Sequence, residues 1–475
     1  MSQVFAIAMV ALRNAIRSRM VICLIALLAV VMIGLPLTIK GDGTPGGHLQ
    51  VLLSYTLGFA TFILALTTLW AGSASVALEV RDKTVQMMVT KPVSAWQLWL
   101  GKWTGLLMLN AALLTFCGVV TLIMLQWTLR QDATLGSAER EEITALLAAR
   151  EVVKPLVPDY RAGGIEDLAE HMREHALPDN VSYAEAVRTF TQRRQARANT
   201  LSGAGQLSWS FSPLENLTRD ENIILQYRFA SSFVGQAPVK GRWQLQAEGI
   251  DKLREMEIMA NPHMQNEVTF TMDKSWAGLP LTLTFTRDEA NSTALIFDPV
   301  DGLDLLVPRG GFAGNYLRAL LVIFGQLAFI GALGVTAGCL FSLPVATFVS
   351  LTLLLLVSMG GNIQKIASEG IVIETHSHGH DEPGHVHGPE CEEENGAMSL
   401  QQILFIPIAY LFKALALFLA PLANQSALSA LSEGYLIDIA WTLRGLLVQG
   451  FVYSLFIGAL AAAALRRREL ALPAL

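Results

Sequence analysis

Long apolar runs alternate with polar stretches along this chain, and several runs have the length of a bilayer crossing. They cover 20–37, 51–70, 103–127, 317–340, 344–359 and 446–465. A helix needs ~20 apolar residues to cross the hydrocarbon core at 1.5 Å rise per residue. The pattern therefore predicts an α-helical polytopic membrane protein with about six transmembrane helices. Ahead of the first run, Val4, Ile7, Val10 and Ile16 recur at helical spacing, with Arg13, Arg17 and Arg19 at the far end. That spacing predicts a helix lying in the membrane interface, the alternative being a cytosolic extension of the first span. A further apolar stretch, 403–422, carries Lys413 in its middle and Pro407 and Pro421 around it. A lysine in mid-membrane is expensive, so a re-entrant or interfacial segment is expected there.

Between the third and fourth runs the pattern changes. In 137–151 and 164–175 strong helix formers stand at helical spacing. After Gln206 the period becomes two: Leu225, Tyr227 and Phe229, then Val268, Phe270 and Met272, then Leu281, Leu283 and Phe285 alternate with polar residues. Several such segments predict an antiparallel β-sandwich. The expected insertion is thus an α+β domain, helical in its first part and a sandwich in its second.

Composition sharpens this division. Apolar residues make up 52% of the chain and charged residues 16%, with a mean hydropathy of +0.43; a soluble domain carries about 25% charged residues. The net charge of −6 comes with no basic stripe, so no nucleic-acid partner is expected. Positive residues cluster in three places: Arg13, Arg17 and Arg19; Arg81, Lys83, Lys91 and Lys102; and Arg466, Arg467 and Arg468. Positive residues favour the cytosolic side. Six crossings put all three clusters there, with both termini inside a cell (inner) membrane; a seventh would expel the last. No small-residue cleavage site follows the first run cleanly, so no cleaved signal peptide is expected.

The expected organisation has five parts. An interfacial helix and three spans occupy 1–127, with a cytosolic coupling helix at 72–102. An extracytoplasmic domain occupies 128–312, spans four and five 313–360, and an extracytoplasmic histidine-rich loop 361–400. A re-entrant segment and the last span, with a cytosolic C-terminus, complete the chain at 401–475. Cys23, Cys117 and Cys339 lie in apolar runs and resemble small core residues.

The histidine-rich loop holds His376, His378, His380, His385 and His387, with Cys391 close by. Imidazole and thiolate suit zinc, copper or nickel. The spacing matches no closed structural zinc pattern. Flexible metal capture and a plain polar linker are equally open, and no other bound cofactor is expected. His171 and His175, four apart on the expected helix, resemble a solvated face more than a metal pair. Gln326, Asp438, Arg444 and Gln449 are the few polar groups near the last and fourth spans, suited to a translocation path or to interhelical hydrogen bonds.

The block 72–102 carries the most information. Small residues open it; Glu79, Arg81, Asp82, Lys83 and Thr84 follow, then Met87 and Met88, then Pro92, Val93, Ser94 and Trp96, then Gly101 and Lys102. This block resembles the coupling segment of the permease subunit of type-2 class ABC exporters. Lys83 stands where that family usually has glycine. The tight turn containing Leu343, Pro344, Val345 and Ala346 agrees with the same family. The resemblance covers the membrane half of the chain, not the outer domain or the histidine loop.

The resemblance implies contacts from Glu79, Arg81, Asp82, Lys83, Thr84, Pro92, Gly101, Lys102 and Pro344 to a cytosolic ABC ATPase subunit. It implies a second permease copy, identical or a paralogue, with membrane lipid as the other partner. The sequence has no phosphate-binding Gly-x-x-x-x-Gly-Lys-Ser/Thr loop, so ATP hydrolysis is expected in the partner and the chain is expected not to be an enzyme. Export or extraction of a substrate is the function implied. Mechanical transmission to an outer partner without transport, and a membrane-anchored metal sensor or scaffold, are the alternatives.

Overall fold

A computed structural model describes residues 3–17, 19–38, 50–82, 94–131, 143, 147–175, 183–214, 221–232, 238–287, 294–298, 302–358 and 427–467. In chain order, helices α1 (Gln3–Arg17) and α2 (Arg19–Thr38) come first. A π-helical turn, Leu52–Thr56, opens α3 (Leu57–Arg81), and α4 spans Ala95–Gln131. Strand β1 (Ala148–Val153) precedes helices α5 (Tyr160–Glu174) and α6 (Tyr183–Ala198). Then come β2 (Thr200–Leu201), β3 (Gly205–Phe211), β4 (Glu221–Tyr227), β5 (Phe229–Ser231), β6 (Val239–Ala247) and β7 (Leu253–Ala260). The series ends with β8 (Asn266–Met272), β9 (Leu281–Arg287), β10 (Leu295–Phe297) and β11 (Leu303–Gly311). Helices α7 (Phe312–Leu340), α8 (Leu343–Ser358), α9 (Ala427–Ser432) and α10 (Ile439–Arg444) follow, then a π-helical stretch, Gly445–Tyr453, and α11 (Ser454–Arg467).

The chain divides into two compact units. One holds Met1–Leu146, Ala313–Glu433 and Ile437–Leu475; the other holds Leu147–Phe312 together with Gly434–Leu436.

In the first unit four helices are long and apolar enough to cross a membrane: Leu52–Arg81, Ala95–Arg130, Phe312–Leu340 and Ile439–Leu465. The expected six crossings come down to four among the described residues, with α1 and α2, a bent pair, making at most a fifth. Helix α8 is described over 16 residues, to Ser358, and the residues that follow lie outside the described ones. The stretch 403–422, with Lys413, lies outside the described residues.

The two helices around the charged block are longer than the bilayer needs. Leu52–Arg81 has 30 residues and Ala95–Arg130 has 36, roughly 45 and 54 Å. Of the block 72–102, the residues up to Arg81 belong to α3 and those from Ala95 belong to α4, while 83–93, the heart of the expected coupling helix, lie outside the described residues. Helix α4 begins at a reciprocal cap: the Gln97 N–H donates to Ser94 Oγ at 3.2 Å, and Gln97 Oε1 accepts from the Ser94 N–H at 3.0 Å. Such a cap satisfies two donors that a helix start leaves orphaned.

The second unit is the expected antiparallel β domain. One sheet runs β1-β11-β4-β8, another β3-β9-β6-β7, and a three-stranded sheet runs β2-β10-β5, each strand pair antiparallel. The two four-stranded sheets share one core. Leu225, Phe270 and Leu305 from the first meet Trp243, Leu283 and Phe285 from the second. Phe229 and Phe297 from the third sheet fill one side. The Trp243 ring lies 4.8 Å from Phe285 and 5.0 Å from Tyr227 between centroids, distances at which aromatic pairs attract beyond their burial. Burial pushes the Tyr227 phenol up to about 12.

The helix expected over 137–151 does not reach its expected end. Ile143 and Leu147 are helical, but Ala148–Val153 is a strand paired with β11 from Leu305 to Gly311, and the rest of 137–146 lies outside the described residues. Helix propensities of a few tenths of a kcal/mol per residue yield to a ladder of backbone bonds. Helix α5, where 164–175 predicts one, starts on an Asp159 cap that accepts from the N–H groups of Arg161 and Ala162.

Candidate functional site

The charged ends of α3 and α4 bring several sequence-singled residues together. Lys102 is 6% exposed and forms an ion pair with Glu79. A buried charge without a partner is costly, and this pair braces α3 against α4. Beyond it, Arg81 Nε lies 2.9 Å from Asp82 Oδ1, and both side chains are more than half exposed. The exposed charge at this end of α3 is thus Arg81 and Asp82, with Glu79 and Lys102 behind them. Lys83, Thr84 and Pro92 lie outside the described residues.

Gly101 has a packing role that its place in a charged motif hid. A Cβ there would stand 2.7 Å from the Ile7 side chain, and one on Gly105 would stand 2.8 Å from the Ala8 carbonyl oxygen. The pair forms a Gly-x-x-x-Gly face on α4 that admits α1 at close range. The spacing was in the sequence, masked by the lysine and tryptophan between. Pro344 sits in the first turn of α8 and is exposed, where its missing N–H removes no helix bond.

Helix α7 is the most buried of the four long helices. Its Gly334 and Gly338 lie against the main chain of Leu69 and Ser73 on α3. Trp103 Nε1 donates to the Ala328 carbonyl at 2.9 Å, and Trp99 Nε1 to Thr336 Oγ1 at 3.1 Å. The Trp99 ring stacks between Trp96 and Trp103, at 5.5 and 5.4 Å. Gln449 is 3% exposed within the π-helical stretch, and Arg444 is exposed.

A cavity of about 340 Å³ opens between α1, α2, α3 and α4. Its walls are mainly alanine, leucine and valine, with Glu79 and Lys102 at one end and Thr68 and Asn110 further along. No single stretch of the chain announces it, because its walls come from four separate segments.

In the β domain, Gly434–Leu436 lies along the free edge of β1. The Arg150 N–H donates to the Gly434 carbonyl at 2.9 Å, and the Leu436 N–H to the Arg150 carbonyl at 2.7 Å. The Tyr435 hydroxyl donates to Gln226 Oε1 at 2.8 Å, and Gln226 Nε2 to Glu267 Oε1 at 2.7 Å. Arg150 is 5% exposed beside this chain of polar groups. Burial lowers its pKa, and the nearby Glu267 opposes the shift.

His171 on α5 stacks with His175, just past the helix end, at 5.1 Å between centroids. Among the described residues no group of three or more His, Cys, Asp or Glu side chains is placed to hold a metal. His376, His378, His380, His385, His387 and Cys391 lie outside the described residues.

The two units define a membrane protein that pairs apolar helices with an antiparallel β domain. No family model matches the chain, and no curated protein matches it. Among solved structures, a family 16 carbohydrate-binding module, module 2, is similar over 22% of this chain and 73% of its own, at 15% identity. Its TM-score of 0.16 is too low to carry an argument about fold or function.

Proposed function

We propose that this chain is the permease subunit of an ATP-driven ABC transporter, exporting a substrate across the membrane or extracting one from it. The observation that carries the proposal is the exposed Arg81–Asp82 end of α3, backed by the Glu79–Lys102 brace, inside a block whose sequence resembles the coupling segment of type-2 exporters. In this proposal Arg81 and Asp82 meet a separate cytosolic ATPase. The brace passes its motion to α4, and α1, seated on Gly101 and Gly105, moves with it. Both termini and this end of α3 face the cytosol, the β domain faces outward, and a second permease copy completes the assembly. ATP hydrolysis stays with the partner.

Co-purification of this chain with a cytosolic ABC ATPase from its own cells tests the contact. Arg81→Glu with Asp82→Lys is expected to reduce recovery of the ATPase at least about tenfold, the loss of one to two charged contacts. Undiminished recovery sinks the proposal.

A second reading keeps the ATPase and replaces transport by mechanical action on an outer partner. The edge pairing of Gly434–Leu436 favours it, because these three residues lie in the chain between α9 and α10. Movement of those helices would pull on the β1 edge. ATP-dependent loading of vesicles with no outer partner present excludes this reading.

A further inference from the structure

The cavity between α1, α2, α3 and α4 has a polar pattern that apolar packing does not explain. Asn110 is 2% exposed, and its side chain borders the cavity. Its Oδ1 accepts from the Thr68 hydroxyl at 2.9 Å, while its Nδ2 has no partner among the described residues. A buried donor without an acceptor is costly, more so where lipid replaces water around the helices. Eight residues further toward the N-terminus of α4, about 12 Å along the helix, the Glu79–Lys102 pair closes the cavity with one negative and one positive charge. Between them the walls are mainly apolar, with Ala71, Ala74 and Leu106; Ser75 also lies there, its hydroxyl donating to the Gly72 carbonyl at 2.7 Å, and α1 adds Asn14. Trp70, a residue type enriched at the headgroup level of bilayers, also borders the cavity and is 38% exposed.

We propose that this cavity is a binding site for one zwitterionic glycerophospholipid. An ester carbonyl accepts from Asn110 Nδ2 at the depth of Trp70. The phosphate lies toward Lys102 and the ammonium toward Glu79, so a headgroup of zero net charge meets a wall of zero net charge. An anionic lipid would leave an uncompensated negative charge beside Glu79, and a free fatty acid would bring no cation to it. The ligand class follows from the order of groups along the cavity: acceptor-seeking amide, a mainly apolar wall, then paired opposite charges. The site stands whether or not an ATPase docks on Arg81 and Asp82.

The full-length chain, purified in detergent and stripped of lipid, is titrated with phosphatidylethanolamine, phosphatidylglycerol or oleic acid and followed by native mass spectrometry. One phosphatidylethanolamine is expected to bind with at least about tenfold preference over the other two probes. Asn110→Leu, close in size, is expected to weaken that binding about tenfold by removing one buried hydrogen bond. Ala71→Phe, which fills the cavity, is expected to abolish it. As a check independent of variant folding, a diazirine-bearing phosphatidylethanolamine is expected to label wild-type peptides containing 67–79 or 102–113. Labelling confined to other peptides overturns the site. Equal binding of the three probes overturns the headgroup assignment. Lipid binding unchanged in Asn110→Leu and in Ala71→Phe overturns the proposal and leaves water as the partner of Asn110.

Discussion

The helical unit and the β domain hold together in different proportions of small and large residues, with the buried Trp99 the main large group among the helices. In the helical unit, glycines bring main chains together: Gly72 lies against Gly331 and Val335, Gly334 against Leu69, and Gly325 against Gly450. In the β domain the largest side chains do the work, with Trp243, Trp276, Phe211, Phe229, Phe285 and Phe297 among those fully buried. The surrounding solvent accounts for the difference. Lipid tails are as apolar as leucine, so burying leucine between membrane helices gains little, and close packing of small residues takes over. In water the gain is proportional to apolar area removed, about 25 cal/mol per Å², so large aromatic groups are the efficient core. The two units of one chain thus report what surrounds each.

Three measurements test that comparison. The largest effect is expected in the β domain: Trp243→Ala removes the ring that Tyr227, Phe285 and Phe297 pack against and costs about 3–5 kcal/mol. Hydrogen exchange of the full-length chain in detergent should speed up in β4, β6 and β9 while α7 keeps its protection. Equal loss in α7 would mean that the two units do not hold themselves together separately.

A smaller effect is expected from the reverse change in the helical unit. Gly338→Ala puts a methyl group against the Ser73 main chain. The overlap should cost about 1–3 kcal/mol, set against the ~1 kcal/mol that alanine gains in helix propensity. A lower melting temperature of the full chain, with β-domain exchange untouched, is the expected result. A higher one would show that the α3–α7 approach has slack and would break the contrast.

The smallest effect is confined to acid. Lys252 Nζ lies 2.6 Å from Asp273 Oδ2, and this bond, with the Ser275 N–H, holds the Asp273 carboxyl down at about 2 against an ordinary 3.8. A lowered pKa means that the folded state favours the carboxylate. Its contribution is fully present above 3.8 and is lost as pH falls through about 2. Asp273→Asn should therefore flatten that part of the acid unfolding curve, followed by β-sheet circular dichroism, and change little in the helical signal. An identical curve would remove Asp273 from the account.

Much of this architecture was legible in the sequence, and the reason differs by element. The alternation of Leu281, Leu283 and Phe285 marked β9 because a strand turns each successive side chain to the opposite face. The apolar runs marked the four long helices because a bilayer sets a minimum length. The bent pair α1–α2 makes at most one crossing, and α8 is described only as far as Ser358. Strand β1 was misread because its residues favour helix locally, and only its pairing with β11 made it a strand.

The candidate sites divide in the same way. The sequence by itself determined that charges cluster around 79–102, since residue types and spacing along one segment need no folding to be seen. Only the tertiary structure decided which of them are spent on one another. Lys102 reaches Glu79 across two helices, Gly101 seats α1, and Arg81 and Asp82 remain exposed. The cavity beside Asn110 and the β1 edge strand Gly434–Leu436 were likewise invisible in one dimension. Each is made by segments far apart in the chain, and such contacts exist only once burial has paired the polar groups that water or lipid would otherwise surround.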